Sequence, residues 1–264
     1  MPFEGKDAPR PPAADPIDAE RIVLLFCLAA GSALAWWWLL RQGGAPAARA
    51  MAGMEGMAAP EPLLAPHYLA AAFAMWALMM IAMMLPSASP MIALYARFAA
   101  KSGSSLLPSL VVACTYLAVW AIFSAAAALA QALLVGSGAV SAMTLSLGSR
   151  TLAAGLLFAA ALYELSPLKR ACLDQCRSPF SFLLRLWRPG IGGAVRIGVA
   201  HGVYCVGCCW SLMALLFVGG VMNPAWVAAL ALIVALEKLV PARLHVEKFV
   251  AGTLAAAAVI ILLS

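Results

Sequence analysis

His67-Tyr-Leu-Ala-Ala-Ala-Phe-Ala-Met-Trp-Ala-Leu-Met-Met-Ile-Ala-Met-Met-Leu-Pro-Ser-Ala-Ser-Pro90 contains no Asp, Glu, Lys or Arg. As a helix rising about 1.5 Å per residue it reaches about 36 Å, more than the ~30 Å of a bilayer's hydrocarbon core. Six further apolar runs follow the same pattern: 22–40, 106–135, 151–168, 194–221, 224–240 and 245–263. The run at 224–240 is the shortest and closes on Glu237-Lys238. These runs predict an all-α, polytopic membrane helix bundle of about seven transmembrane helices.

Composition supports that reading. The 264 residues are 65% hydrophobic and 11% charged, with a mean hydropathy of +0.96. Soluble domains hold about 45–50% apolar and about 25% charged residues. Disorder needs low hydrophobicity, so it is excluded for the chain as a whole. Residues 1–21 are the exception, proline-rich and charged, and read as a disordered cytoplasmic tail preceding a transmembrane domain over 22–264. A signal-peptide reading of 22–40, with cleavage at the small residues of 45–50, conflicts with the length of the run.

The net charge of +6 reads as topology rather than nucleic-acid binding. With the N-terminus inside, the inner segments hold Lys6, Arg10, Arg21, Arg97, Lys101, Lys169, Arg170, Arg177, Arg185, Arg188, Arg196, Lys238, Arg243 and Lys248. The outer segments hold Arg41, Arg49 and Arg150. Trp36, Trp37 and Trp38 then sit at the outer interface, where aromatic anchors are expected. Two loops of some size remain. The outer loop, 41–66, is Met-rich, and the basic inner loop, 169–193, contains cysteines. Within the inner loop, 180–188 alternates Phe, Leu and Trp with Arg185 and Arg188, the pattern of a short amphipathic helix on an anionic leaflet. A soluble catalytic domain, a phosphate-binding glycine loop and a nucleophile–base pair are all missing from the pattern, so no enzymatic activity is expected.

The chain has 7 Cys and 13 Met but 3 His. The sharpest motif is His201-Gly-Val-Tyr-Cys205-Val-Gly-Cys208-Cys209-Trp. At about 100° per residue, His201, Cys205, Cys208 and Cys209 fall on one stripe about 100° wide. One imidazole and three thiols on one face can serve one ion, and soft sulfur suits Cu(I) or Zn(II). The opposing reading is that cysteine is a small, soft packing residue. Gly198 and Gly202 form a small-xxx-small pair that admits a close neighbouring helix.

A second cluster, Cys172-Leu-Asp-Gln-Cys176, places two sulfurs on one helical face and could hold metal or form a reversible disulfide. In the third, Met75, Met79 and Met83 form one row, and Met80 and Met84 a neighbouring one, just before a Pro86–Pro90 break. Backbone groups freed by those prolines must be satisfied by protein or water. The fourth is Met51-Ala-Gly-Met54-Glu-Gly-Met57 in the outer loop, a thioether set suited to capturing Cu(I) where thiols would oxidise. His67 stands close enough in sequence to join it. Methionine rows are also ordinary packing, and the 51–57 segment also reads as a flexible linker. Glu164 and Glu237 lie at the inner ends of runs, either facing a site or paired with Lys169 and Lys238. Cys27 and Cys114 read as isolated packing thiols.

The runs 76–87, 167–177 and 202–213, with Gly220-Val-Met-Asn and Glu237-Lys238, resemble a bacterial family of metal-binding integral membrane proteins of unassigned function (domain of unknown function 2182). The resemblance covers roughly 70–264. It implies a multi-spanning membrane location and metal binding. By motif position it makes Met79, Met80, Met83, Met84, Cys172, Cys176, Cys205, Cys208, Cys209 and Glu237 candidate metal-site residues.

Together these readings predict a bacterial inner-membrane protein, multi-pass, that binds a soft metal ion and delivers or transports it. Cu(I) is the first expectation and zinc the second. The expected partners are the lipid bilayer and a soluble metallochaperone or metalloenzyme client, with no nucleic acid. The alternatives are a membrane thiol-disulfide oxidoreductase built on the cysteine pairs, and a non-catalytic assembly subunit of a membrane complex.

Overall fold

The computed structural model describes residues 16–42, 64–101, 105–142 and 144–264. Met51, Met54 and Met57, and most of the N-terminal tail, lie outside the described residues. The regular elements are α1 (Pro16–Gln42), α2 (Pro66–Lys101), α3 (Leu107–Gly136), α4 (Arg150–Glu164), α5 (Pro167–Arg177), α6 (Pro179–Leu186), α7 (Gly190–Ala214), α8 (Leu216–Gly219), α9 (Pro224–Leu239) and α10 (Val246–Leu263). A 3₁₀ turn, Ala242–Leu244, precedes α10. Among the described residues there is no strand, only an isolated bridge between Val140 and Leu147.

The helical bundle expected from the apolar runs is therefore present. Five stretches are long and apolar enough to cross a membrane: Ile22–Arg41, Pro66–Ala100, Leu107–Gly136, Gly190–Gly219 and Ala242–Leu263. Taken together, α4 and α5 make a sixth, bent by 64°. Of the seven expected spans, the one at 224–240 falls short: α9 has 16 residues, against about 20 for a crossing. The bend between α4 and α5 has a local cause. The Ser166 side chain accepts from the Lys169 amide, and Pro167 follows at the first helical position, so a new helix starts there.

The expected loop at 169–193 is itself helical, consisting of most of α5, all of α6 and the start of α7. In α6, Phe182 and Leu183 are buried against the bundle, while Phe180, Leu184 and Arg185 are exposed. At the other end of the chain α1 begins at Pro16, upstream of the apolar run that starts at residue 22.

The break expected at Pro86–Pro90 does not occur: α2 runs unbroken through both prolines. Pro86 has no N–H to give to the carbonyl of Ala82, four residues earlier. Two donors from α1 replace it, Ser32 Oγ at 3.1 Å and Trp36 Nε1 at 3.0 Å. Pro90 likewise frees the carbonyl of Pro86, which accepts from Ser89 Oγ at 2.7 Å. Protein side chains thus satisfy the freed groups, as the membrane interior requires. They also give Trp36 a packing role beyond that of an interfacial anchor. Trp37 stays on the surface, with the Arg41 guanidinium 4.3 Å from its ring centre.

In the bundle, α2 packs against α1 on one side and α3 on the other, α3 packs along α7, and α4 packs along α10. The α3–α7 crossing is close because α7 offers Gly198 and Gly202. A Cβ on Gly198 would overlap Thr115 Oγ1 and the Val112 carbonyl, and one on Gly202 would stand 2.8 Å from Val119 Cβ. Small residues let two backbones approach where lipid gives no hydrophobic drive to association. Phe26, Ile122, Leu232 and Phe249 project outward, as expected of side chains that face lipid. Cys27 and Cys114 are also on this outer surface, isolated but not packed inside.

Candidate metal centre

Three helices bring sulfur to one place, and a fourth brings a lysine. From α7, Cys205, Cys208 and Cys209 are fully or almost fully buried, as is His201 one turn earlier. The single stripe expected on this helix is thus its inward face. From α5, Cys176 reaches the same spot, with its Sγ 3.9 Å from Cys208 Sγ. Cys208 Sγ lies 3.2 Å from Cys209 Sγ and donates to the Cys205 carbonyl at 3.2 Å. From α2 comes Met84 and from α9 Lys238, whose ammonium stands 3.9 Å from the Met84 sulfur.

Lys238 is the residue that organises the cluster. Its Nζ donates to Cys205 Sγ at 2.9 Å and to Ser87 Oγ at 3.1 Å. The Tyr116 hydroxyl, from α3, lies 3.1 Å from Cys205 Sγ and 3.2 Å from the Met84 carbonyl. Met84, Cys205, Tyr116 and Lys238 are all buried. Sequence reasoning placed Lys238 beside Glu237 as a partner and gave Tyr116 and Ser87 no role. The charged pair inside an apolar run was the available signal for Lys238. Nothing in the sequence pointed to Tyr116 or Ser87.

His201 sits between two rings, 5.4 Å from Tyr116 and 5.7 Å from Phe182 between ring centres. Its Nδ1 is buried and has no hydrogen-bond partner. An imidazole nitrogen held this way, one turn from Cys205, can still act as a ligand.

Glu164 and Glu237 do not join the sulfurs. Both carboxylates accept from Lys169 Nζ, at 2.8 and 3.0 Å for the two Glu237 oxygens, and all three side chains are buried. This is the pairing alternative raised from the sequence, with Lys169 serving both acids. The triad joins α4, α5 and α9 and so fixes α5, which carries Cys176. Arg177 adds a second tie, donating to the Glu237 carbonyl at 2.6 Å and to Glu247 Oε2 at 3.1 Å.

The remaining candidates separate. Cys172 Sγ lies against Gly207 of α7, where a Cβ would come within 2.8 Å. Met80 and Met83 are buried in the apolar core. Met79 lines a cavity near the beginning of α2 instead.

Among the described residues, no group of three or more His, Cys, Asp or Glu side chains stands as a ready-made ligand shell. The pairwise spacings explain this. At a metal–sulfur distance of about 2.3 Å, two tetrahedral ligands lie about 3.8 Å apart and two opposed ligands about 4.6 Å apart. Cys176 and Cys208, at 3.9 Å, match that spacing, while Cys208 and Cys209, at 3.2 Å, are closer than two ligands of one ion. The geometry offers a two-sulfur clamp between α5 and α7, with Cys205, Met84 and His201 around it.

The family model described as PpoB2, copper chaperone, matches residues 73–261. The chain belongs to this family. The matched segment contains every residue of the sulfur cluster and the Glu164–Lys169–Glu237 triad, and it ends before the last residues of α10. Family membership gives the chain the copper association expected from its soft ligands. No curated protein and no solved structure matches the chain.

Proposed function

We propose that this chain is a multi-pass protein of the bacterial inner membrane that holds Cu(I) at the α5–α7 cysteine clamp and passes it to a client, without catalysing a reaction. The observation that carries the reading is the 3.9 Å approach of Cys176 and Cys208 from two helices, buried beside Cys205, Met84 and His201, in a copper chaperone family member. A pair at ligand spacing, rather than a closed set of four, favours Cu(I), which accepts few soft donors, over structural Zn(II), which takes four. Seven crossings with the N-terminus inside remain the topology that the basic residues favour, and α9 completes them as a short span. The client is a soluble metallochaperone or metalloenzyme.

Lys238 puts a resident cation at Cys205, beside the clamp. Its ammonium lies 2.9 Å from Cys205 Sγ and 3.9 Å from Met84 Sδ, so positive charge already stands beside those sulfurs. Loading exchanges one cation for the other at Cys205, and the ammonium retains Ser87 Oγ, 3.1 Å away, as its acceptor. A carrier benefits from such an exchange, because release to a client is matched by return of the ammonium.

The test is anaerobic Cu(I) titration of the purified full chain against a chromophoric chelator. The chain should bind Cu(I) tightly, and Cys176→Ser with Cys208→Ser should weaken binding by about a hundredfold or more, that is by at least about 2.7 kcal/mol. Unchanged affinity in that double variant would remove the clamp as the site.

A further inference from the structure

A cavity of about 410 Å³ opens near the first turns of α2, lined in part by Tyr68, Met75, Met79, Gln131 and Met222. Three of these are thioethers from two parts of the chain. Met75 and Met79 stand one turn apart on α2, and Met222 comes from the turn between α8 and α9. They are graded in exposure: Met222 is 38% exposed and Met79 is 0% exposed. The polar lining is already paired. Gln131 Nε2 donates to the Tyr68 hydroxyl at 3.2 Å, and Gln131 Oε1 accepts from Trp76 Nε1 at 2.9 Å. The rest of the lining is largely apolar and contains the three thioether sulfurs, the soft donors of this cavity.

The cavity and the clamp share α2. Met79 and Met84 are five positions apart on one continuous helix, a rise of about 7.5 Å. Between them Met80 and Met83 are buried, and the Met84 sulfur lies 3.9 Å from Lys238 Nζ, which contacts Cys205. Thioethers therefore recur along α2 from an accessible mouth to the cysteine cluster.

We propose that the Met75–Met79–Met222 cavity is a second, weaker Cu(I) site, through which the ion enters on its way to the cysteine clamp. This rests on the copper reading of the clamp. Thioether sulfur is a soft, neutral donor that suits Cu(I) and, unlike thiols, forms no disulfides. It binds more weakly than thiolate, so the ion moves onward to cysteine.

The experiment uses Ag(I), a redox-silent monovalent soft cation, and the full chain. Replacing all seven cysteines with alanine disables the clamp and removes the other thiols that would outcompete thioether for Ag(I), and Met75→Leu, Met79→Leu and Met222→Leu are then added. Leucine nearly conserves methionine's volume, so packing is kept. In the clamp-disabled protein, Ag(I) binding should weaken about tenfold or more when the three methionines are replaced. With the clamp intact and one equivalent of Cu(I) supplied, the same methionine replacements should slow loading by about tenfold and leave the copper finally held at the clamp unchanged. Unchanged Ag(I) binding on loss of the methionines would overturn the proposal and mark the cavity as a seat for a lipid chain. An unchanged loading rate would overturn its role in entry. If Cu(I) fails to bind the clamp at all, the chaperone reading falls, while the Ag(I) comparison still decides the cavity.

Discussion

Replacing Lys169 with methionine should be among the most damaging single substitutions in this protein. The Lys169 side chain is 0% exposed and is the common donor to Glu164 and Glu237, whose side chains are 0% and 1% exposed. Methionine fills much the same space but carries no charge, so Lys169→Met leaves two buried carboxylates without their cation. Removing one partner of a buried ion pair costs about 3–5 kcal/mol. For a chain of this size each kcal/mol moves the melting temperature by about 2–4 °C, so the expected fall is about 6–20 °C. The assay is thermal unfolding in detergent. Because the cost comes from unpaired charge rather than lost packing, adding Glu164→Gln and Glu237→Gln should recover most of the loss. The clamp should suffer as well: α5 carries Cys176, and loosening the triad should lower Cu(I) affinity even though no sulfur is touched. A melting temperature within about 2 °C of the parent, or a triple variant no more stable than Lys169→Met, would refute the argument that the triad fixes α5.

Three other outcomes follow from the same geometry. Lys238→Met removes the ammonium that competes for Cys205, so Cu(I) release to a chelator should slow by about tenfold; equal or faster release would contradict cation exchange. Mild oxidation of the metal-free protein should join Cys176 to Cys208, their sulfurs being 3.9 Å apart, and peptide mass mapping should find that link and its suppression by prior Cu(I) loading. Gly198→Ala should destabilise the chain by about 1–3 kcal/mol or more in the same unfolding assay, because the new Cβ meets the Val112 backbone carbonyl, which cannot rotate aside.

The helices were legible because apolar runs long enough to span a bilayer leave the chain few other ways to fold. The stripe on α7 was legible for a similar reason: helical spacing alone put His201, Cys205, Cys208 and Cys209 on one face, and that face is buried. The partner across from it was only half legible. Cys172 and Cys176 share a helical face, yet α7 meets it at Gly207 beside Cys172 and at Cys208 beside Cys176, so only one thiol pairs with another. Adjacent residues misled in the case of Glu237 and Lys238. Consecutive side chains on a helix point about 100° apart, so Glu237 reaches Lys169 while Lys238 reaches Cys205. The methionine rows on α2 read as one site. Because α2 continues through its prolines, they serve two places: Met79 lines the cavity and Met84 lies at the clamp. The continuity itself was hidden, since it depends on Ser32 and Trp36 of α1 donating to the Ala82 carbonyl.

The central claim is that Cu(I) is held by sulfur between α5 and α7. X-ray absorption at the copper edge, on the full chain loaded anaerobically with one equivalent of Cu(I), tests it most directly. The account predicts a first shell dominated by sulfur, with sulfur scattering reduced when Cys176 and Cys208 are both replaced by serine. A first shell of nitrogen and oxygen alone, or a sulfur shell indifferent to those two cysteines, would contradict it.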